Sequence, residues 1–406
     1  MGNKRYCLRG VVGKDLNERA IRKFAKQVVS YIYANKLQPS IIIGKDNRVS
    51  SDYVLGVVES VLLAKGVTVY TIDISTTPEL VYLTKKFKFS LGIMITASHN
   101  SYEYNGLKCF SSFGEIVEIH NLEIKNYKTK DYGKIVNIGK YKELYLRELK
   151  NQLNPNDIRC VFDCANGASV DVVRKIFAKQ QIIGNETSGK YINNECGSEN
   201  LDTIKAVCRR SKKIGFAFDG DADRVVAIDC NGNIVDGDKI LYILATQQLG
   251  FGDKVIGTQI SGLGLEISLR SLGVGLIREK VGTKYVSDRM RKENIKLGGE
   301  SCGHIFLDKS STSDGVRVAI ELLNILNRTG QTFEQLLSGY KELHSLSKSL
   351  NIEESKAGIE FEQTCKDMRV VVRKSETEPK VRVFVEGVDR ELVRCKFERL
   401  VQELSK

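Results

Sequence analysis

The feature that most constrains this chain is an alternation of two periodicities. From Glu18 to Leu37 apolar residues recur at helical spacing, and the segment then gives way to the β-rich run Ser40 to Gly44. The alternation continues with a helical stretch at Tyr53 to Ala64, a strand at Val67 to Asp73, a helix after Thr77 and a strand at Leu91 to Thr96. A second round opens with the strand Cys160 to Cys164 and the helix Val170 to Lys179. A third runs through Val255 to Ile260, the helix Gly264 to Ser271, the strand Gly275 to Glu279 and the helix Lys284 to Lys292. Such alternation predicts sheets, largely parallel, covered by helices. The last segment reads differently: a strand from Met368, a polar loop, a strand at Lys380 to Glu386 and a helix from Arg390 to Leu404.

The expected architecture is therefore α/β: three mixed α/β sandwich units over 1–150, 151–250 and 251–345, then a smaller C-terminal α+β unit over 346–406. A chain of 406 residues is too long for one ordinary core, which agrees with this division. The charged stretch Glu342 to Gly358 is expected to be an irregular hinge.

Composition narrows the function. Hydrophobic residues make up 42% and charged residues 28%, enough to bury cores, and no apolar run approaches the roughly 18 residues that span a bilayer. The N-terminal residues Met-Gly-Asn-Lys-Arg-Tyr lack an apolar signal core, and Tyr6 stands where a myristoylation motif needs Ser or Thr, so a cytoplasmic location is expected. Ten cysteines at irregular spacings read as reduced structural thiols, since Cys160 and Cys164 lack the two-residue gap of zinc and redox motifs. The net charge of +12 suits anionic partners, but the lysines are spread without the aromatic-spaced stripe of a nucleic-acid binder. Neither a nucleic-acid nor a membrane partner is expected.

Four polar clusters interrupt the pattern, each at the end of a predicted strand, where open α/β sheets bind ligands. The first is Thr96-Ala97-Ser98-His99-Asn100, with Lys108 ten positions after the serine. It offers a nucleophile and two proton carriers, or simply a capping loop. The second, Asp219-Gly220-Asp221-Ala222-Asp223-Arg224, sets three carboxylates at alternating positions between apolar runs, a pattern that can hold one hard divalent cation. It is not an EF-hand, because Arg224 and Cys230 stand where the loop needs glycine and a bidentate glutamate. The third is the glycine-rich Gly298-Gly299-Glu300-Ser301-Cys302-Gly303-His304, whose side chains can bond sugar hydroxyls. The fourth, Arg373-Lys374-Ser375-Glu376-Thr377-Glu378-Pro379 with Arg382 beyond it, offers forked donors and hydroxyls for a phosphate.

In this order and at these separations the four clusters resemble the α-D-phosphohexomutase superfamily, which includes phosphoglucomutases, phosphomannomutases and phosphoglucosamine mutases. The resemblance runs from Arg9-Gly10-Val11-Val12-Gly13 to the C-terminal phosphate loop. The stretches Gly262-Leu263-Gly264-Leu265-Glu266, Val281-Gly282-Thr283-Lys284-Tyr285-Val286 and Ile305-Phe306-Leu307-Asp308, then Asp314-Gly315, look most like the phosphoglucosamine mutase branch. The resemblance implies four domains around a central cleft, and an isomerase that interconverts hexosamine (glucosamine) 6-phosphate and 1-phosphate. Its alternatives are glucose or mannose phosphate, or a catalytically weakened homologue that binds phosphosugars. It further implies Ser98 as the phosphorylated residue, with one magnesium ion held by Asp219, Asp221, Asp223 and the Ser98 phosphate, and a sugar bisphosphate as activator. His99 and Lys108 match positions near phosphoryl transfer, and Arg9 and Arg224 would neutralise charge. Glu300, Cys302 and His304 match the sugar-binding loop, while Arg373, Ser375, Thr377 and Arg382 match the clamp for the phosphate that is not reacting. The partner is a small phosphosugar, and the assembly a monomer or homodimer.

The chain departs from that pattern in places. It begins Lys4-Arg5-Tyr6-Cys7-Leu8 where the family has a Gly-Thr-Asp-Gly-Ile-like segment, and Ser101, Cys302 and Glu376 replace a proline, a serine and a glycine.

Overall fold

Asn17 starts the first layer. Its side-chain oxygen accepts from the Ala20 N–H at 3.0 Å and caps the helix Glu18–Ala34. That helix buries Ile21, Phe24, Val28 and Ile32, and in the same core lie Ile41, Ile43, Ile93 and Ile95 from the sheet below. The alternate strand residues Ile42, Ile72 and Met94 face the other way and meet Leu80 and Leu83 of the helix Thr77–Lys86. Period two along the strands thus gives the sheet two apolar faces, each covered by helices.

The computed structural model describes residues 7–119, 121–129, 131–155, 157–308, 312–351, 361–365, 367–374 and 380–405. Among them the strands form four sheets. In the first, Leu91–Ile95, Ser40–Lys45, Thr68–Ile74 and Ile135–Asn137 run parallel, whereas Tyr104–Ser111 and Cys7–Val11 join antiparallel. The sheet is therefore mixed, and its antiparallel edge brings Arg9 opposite Gly106. The second sheet is ordered Ile234–Val235, Val225–Ile228, Ile214–Phe218, Cys160–Asp163, Gln181–Ile183. The third is ordered Gly275–Glu279, Lys254–Thr258, Leu297–Gly299, Ile305–Leu307.

The second and third sheets share one core, in which Phe162, Phe216 and Phe218 belong to the same cluster as Leu241, Leu265 and Leu323. Helix Gly315–Thr329 makes the connection. Asp314 caps it by accepting from the Arg317 N–H at 3.0 Å, Gly330 ends it at φ 65°, and it packs on strands of both sheets.

The fourth sheet is antiparallel throughout, in the order His344–Asn351, Lys380–Gly387, Met368–Lys374, Phe361–Thr364, and the helix Arg390–Ser405 covers it with Val393, Leu400 and Leu404. This corrects the expected irregular hinge at Glu342 to Gly358, because His344–Asn351 is a strand paired along the whole of Lys380–Gly387. Its alternation, Leu346-Ser347-Lys348-Ser349-Leu350, has period two but only Leu350 is deeply buried, and the charged flanks hide so short a pattern. Residues 352–358 of that expectation lie outside the described residues.

A buried ion pair fastens this sheet to the third unit. The Arg369 guanidinium, fully buried, donates to the Ser261 carbonyl at 2.8 Å, to Glu386 at 3.2 Å and to Glu362 at 2.8 Å, and it also reaches the Gln259 carbonyl. Glu386 in turn accepts from the Leu263 N–H at 2.9 Å. Breaking such a pair leaves an uncompensated buried charge and costs about 3–5 kcal/mol. Arg369→Met should therefore raise hydrogen exchange across Met368–Lys374 and Lys380–Gly387 well before the first sheet is affected. Exchange unchanged from wild type would show that the pair does not hold the junction.

Candidate active site

The site forms where strands of three sheets end. Strand Leu91–Ile95 runs into Thr96-Ala97-Ser98, strand Ile214–Phe218 into Asp219, and strand Leu297–Gly299 into Glu300. Ser98 is 2% exposed and sits at φ 53°, in the left-handed region that a residue with a Cβ adopts at a cost of about 1–2 kcal/mol. The surroundings hold it there. Its N–H donates to Thr96 Oγ1 at 2.8 Å, and its carbonyl accepts from Arg48 at 2.9 Å and from Asn193 at 2.8 Å. The same arginine donates to the Asn100 carbonyl at 2.7 Å and the Tyr104 carbonyl at 3.1 Å, and its own charge is paired with Asp46 at 2.8 Å. So supported, the Ser98 hydroxyl donates to Asp219 Oδ2 at 2.6 Å and lies 3.4 Å from His99 Nδ1.

The acidic loop meets it from below. Gly220 passes so close that an added Cβ would stand 2.7 Å from the Ser98 carbonyl oxygen, which is why only glycine fits between the two loops. Asp219, Asp221 and Asp223 are each at most 3% exposed, and an oxygen from each lies within 4.8 Å of the others. Asp221 accepts from the Thr77 hydroxyl at 2.5 Å, and Asp223 from the Lys108 ammonium at 3.1 Å, which is also 3.6 Å from Asp221. Burial, then the neighbouring carboxylates of Asp223 and Asp221, push Asp219 well above the usual carboxylate range. Burial acts against the Lys108 charge, but Asp223 and Asp221 overcome it and hold the ammonium above its ordinary value. The Oδ1 atoms of Asp221 and Asp223 are buried and accept no hydrogen bond. Orphaned carboxylate oxygens beside a serine hydroxyl, with no sulfur or imidazole in the triad, fit a hard divalent cation.

The glycine-rich loop supplies the roof. Glu300 accepts from the Gly282 N–H at 3.0 Å. Arg224 donates from Nε to His304 Nε2 at 2.9 Å and from Nη1 to Glu199 at 2.6 Å. Because a guanidinium can only donate, His304 Nε2 must be unprotonated, which assigns the proton to Nδ1, facing Ser313 Oγ at 3.0 Å and the Asp223 carbonyl at 3.1 Å. His304 is thus a neutral spacer between the acidic loop and Arg224. Burial, opposed by Arg224, pushes the Cys302 thiol up to about 11, so it stays protonated.

Of the residues expected from the sequence, Ser98, His99, Lys108, the three aspartates, Arg224, Glu300, Cys302 and His304 converge here, and Arg9 joins through Asn100 at 2.9 Å. Arg373 and Arg382 form a separate pair, opposite each other on the C-terminal hairpin. Ser375, Glu376 and Thr377, like residues 1–6 with their atypical start, lie outside the described residues. Three supporting residues were not foreseen: Arg48, Thr77 and Asn193. Asp46-Asn47-Arg48 follows strand Ser40–Lys45 directly, so the strand-end rule that selected the other clusters points to Arg48 as well. All ten cysteines are free thiols, and among the described residues no helix is long and apolar enough to cross a membrane.

Residues 3–132 match the family description "Phosphoglucomutase/phosphomannomutase, alpha/beta/alpha domain I", and residues 236–343 match domain III of the same family. A phosphoglucosamine mutase of Natranaerobius thermophilus is 35% identical over 98% of this chain and 97% of its own. One of Acinetobacter baumannii is 35% identical over 90% and 89%. Among solved structures, a phosphoglucomutase/phosphomannomutase family protein of Burkholderia thailandensis superposes with a TM-score of 0.82 at 22% identity, covering 99% of this chain and 97% of that one. An Aspergillus fumigatus N-acetylphosphoglucosamine mutase, in complex with GlcNAc-6P and magnesium, gives 0.62 at 17%, covering 81% and 93%. A serine held against a buried carboxylate triad, with relatives matched almost end to end, leads to one conclusion: the chain belongs to the phosphoglucomutase/phosphomannomutase family and is an isomerase of the phosphohexomutase type.

Proposed function

We propose that this enzyme interconverts hexosamine 6-phosphate and hexosamine 1-phosphate, with glucosamine as the sugar, through a phosphorylated Ser98 and a sugar bisphosphate. The observation that carries the reading is Ser98, held at a left-handed φ with its buried hydroxyl 2.6 Å from Asp219, beside two buried carboxylate oxygens that accept no hydrogen bond. The choice of sugar is supported by relatives named phosphoglucosamine mutase at 35% identity over nearly the full length.

In this reading the phosphoryl group on Ser98 Oγ passes to the free sugar hydroxyl. The bond from phosphorus to Ser98 breaks, the bond to the sugar oxygen forms, and the proton of the sugar hydroxyl passes by way of His99 to Ser98 Oγ, which is released as the serine hydroxyl. The bisphosphate then turns round within the cleft, and its other phosphate returns to Ser98. A magnesium ion held by Asp219, Asp221 and Asp223 would offset the charge on the serine phosphate. Lys108, ion-paired with Asp223 at 3.1 Å and 3.6 Å from Asp221, would hold the transferring group electrostatically. Glu300, Cys302 and His304 would face the sugar. Arg373 and Arg382, with Ser375 and Thr377, would grip the phosphate that is not reacting, and loss of such charged hydrogen bonds costs on the order of 1.5–3 kcal/mol each.

Assayed side by side with magnesium and a bisphosphate activator, glucosamine phosphate should turn over faster than glucose or mannose phosphate. A clear preference for either of the latter would move the enzyme to another branch of the family. Ser98→Ala should abolish both mutase activity and the covalent phosphate seen by mass spectrometry of the wild type, and full activity in that variant would exclude the covalent route. Thr77→Val removes the hydroxyl that orients Asp221 without touching the triad. Outer partners of this kind are worth about 10–100-fold in metal affinity, so manganese binding measured by calorimetry should weaken within that range. Wild-type affinity would show that Thr77 has no orienting role.

A further inference from the structure

A cavity of about 330 Å³ opens behind the catalytic centre, at the seam of three helices, Thr77–Lys86, Lys142–Gln152 and Gly315–Thr329. Its size reaches the lower end of small-molecule sites. One wall is aromatic: the rings of Tyr82 and Tyr145 pack against each other with centroids 5.7 Å apart and inclined at 52°, and Pro78 and Val81 extend this apolar wall. The cavity is also basic. Lys85 and Lys86 end the first helix, Arg317 begins the third, and all three line the cavity.

Two carboxylates share the lining. Asp314 also caps its helix, accepting from the Arg317 N–H at 3.0 Å and from the Tyr145 hydroxyl at 2.9 Å, and with Glu148 it sets two carboxylates against three cations. The cations are gathered closely enough to disturb one another, since burial and then the Arg317 charge hold Lys85 below its ordinary value. The Arg317 guanidinium is positioned by Gln152 at 3.0 Å and by the exposed Asp308 at 3.3 Å. An apolar wall with cations at its rim suits a flat ring bearing a negative group.

The cavity is not the sugar cleft. Its wall residue Pro78 follows Thr77, whose hydroxyl meets Asp221, and Asp314 follows Ser313, which meets His304, so the cavity approaches the centre from behind its supporting residues. Thr312 is the partition, because it also lines a very small cleft beside Lys108 and Asp223.

We propose that this cavity is a second ligand site, for a small aromatic anion: one flat ring system carrying a phosphate, sulfonate or carboxylate. The ring lies against the wall formed by Pro78, Val81 and Tyr82, and the anion is met by Arg317 and the two lysines. The site binds independently of the phosphosugar.

Calorimetry on the full chain with naphthalene-2-sulfonate as the probe tests this. One probe per chain should bind, with the same affinity in the presence of saturating glucosamine 6-phosphate. The neutral analogue naphthalene-2-methanol should bind at least about tenfold more weakly, since it lacks the charge-assisted bonds. Arg317→Gln should weaken the probe to a similar degree. Because Arg317 also ties helix Gly315–Thr329 to its neighbours, Lys86→Glu, on an exposed helix end, provides a second variant that leaves the packing alone and should weaken the probe likewise. Displacement by the sugar phosphate, equal binding of the neutral analogue, wild-type affinity in both variants, or no binding would each overturn the proposal.

Discussion

Three carboxylates held within 4.8 Å of one another, and shut away from water, are the constraint on which the rest of the site depends. In a medium of low polarity such a group repels itself strongly, and each charge must be met by a cation or a hydrogen-bond donor. The chain supplies these from distant places. Lys108 comes from the antiparallel edge of the first sheet, Thr77 from the start of a helix on its face, Ser98 from the loop between them, and Arg224 from the acidic loop itself. Since three of these donors, Lys108, Thr77 and Ser98, come from the first sheet and its helix and the acids from the second, the two cannot separate without exposing or orphaning the triad. The catalytic centre is also the fastening between the sheets, aided by Asn47, which donates to the Asn166 carbonyl at 2.8 Å.

This double role explains the backbone of Ser98. A left-handed residue with a side chain is unfavourable, and the loop has to be pinned from several sides to keep it. Arg48 does most of this with one buried guanidinium spread over carbonyls of the same loop, and Asp46 keeps that guanidinium in the plane it needs. The strain points the hydroxyl at Asp219. A relaxed conformation would turn it elsewhere.

What could be read from the sequence follows the same division. The α/β layers were legible because periods of two and 3.6 persist over long segments, and the structure places strands and helices close to the expected bounds from Ser40–Lys45 to Arg390–Ser405. The acidic triad was legible because three carboxylates between apolar runs have few structural uses. His344–Asn351 was not, since a strand with one deeply buried side chain leaves almost no pattern. Arg48, Thr77 and Asn193 were not singled out either, because their partners are brought near only by the fold: carbonyls for Arg48 and Asn193, and a carboxylate 144 positions away for Thr77. The antiparallel edge of the first sheet escaped for a related reason, because alternation reveals strands but says nothing of their direction.

The finished site sorts its proton carriers by environment. Lys108 is pinned as a cation by two acids, and His304 is pinned neutral by Arg224 on one nitrogen, with its proton on the other. Cys302 keeps its proton, with burial outweighing Arg224. In the proposed reaction His99, whose Nδ1 lies 3.4 Å from Ser98 Oγ, would exchange a proton with the reacting oxygen. Phosphoryl transfer passes through a loose transition state that asks little of a base and much of fixed positive charge and position. A site that locks most of its ionisable groups in one protonation state, and spends its hydrogen bonds on holding one serine, is built for that kind of chemistry rather than for strong acid and base work.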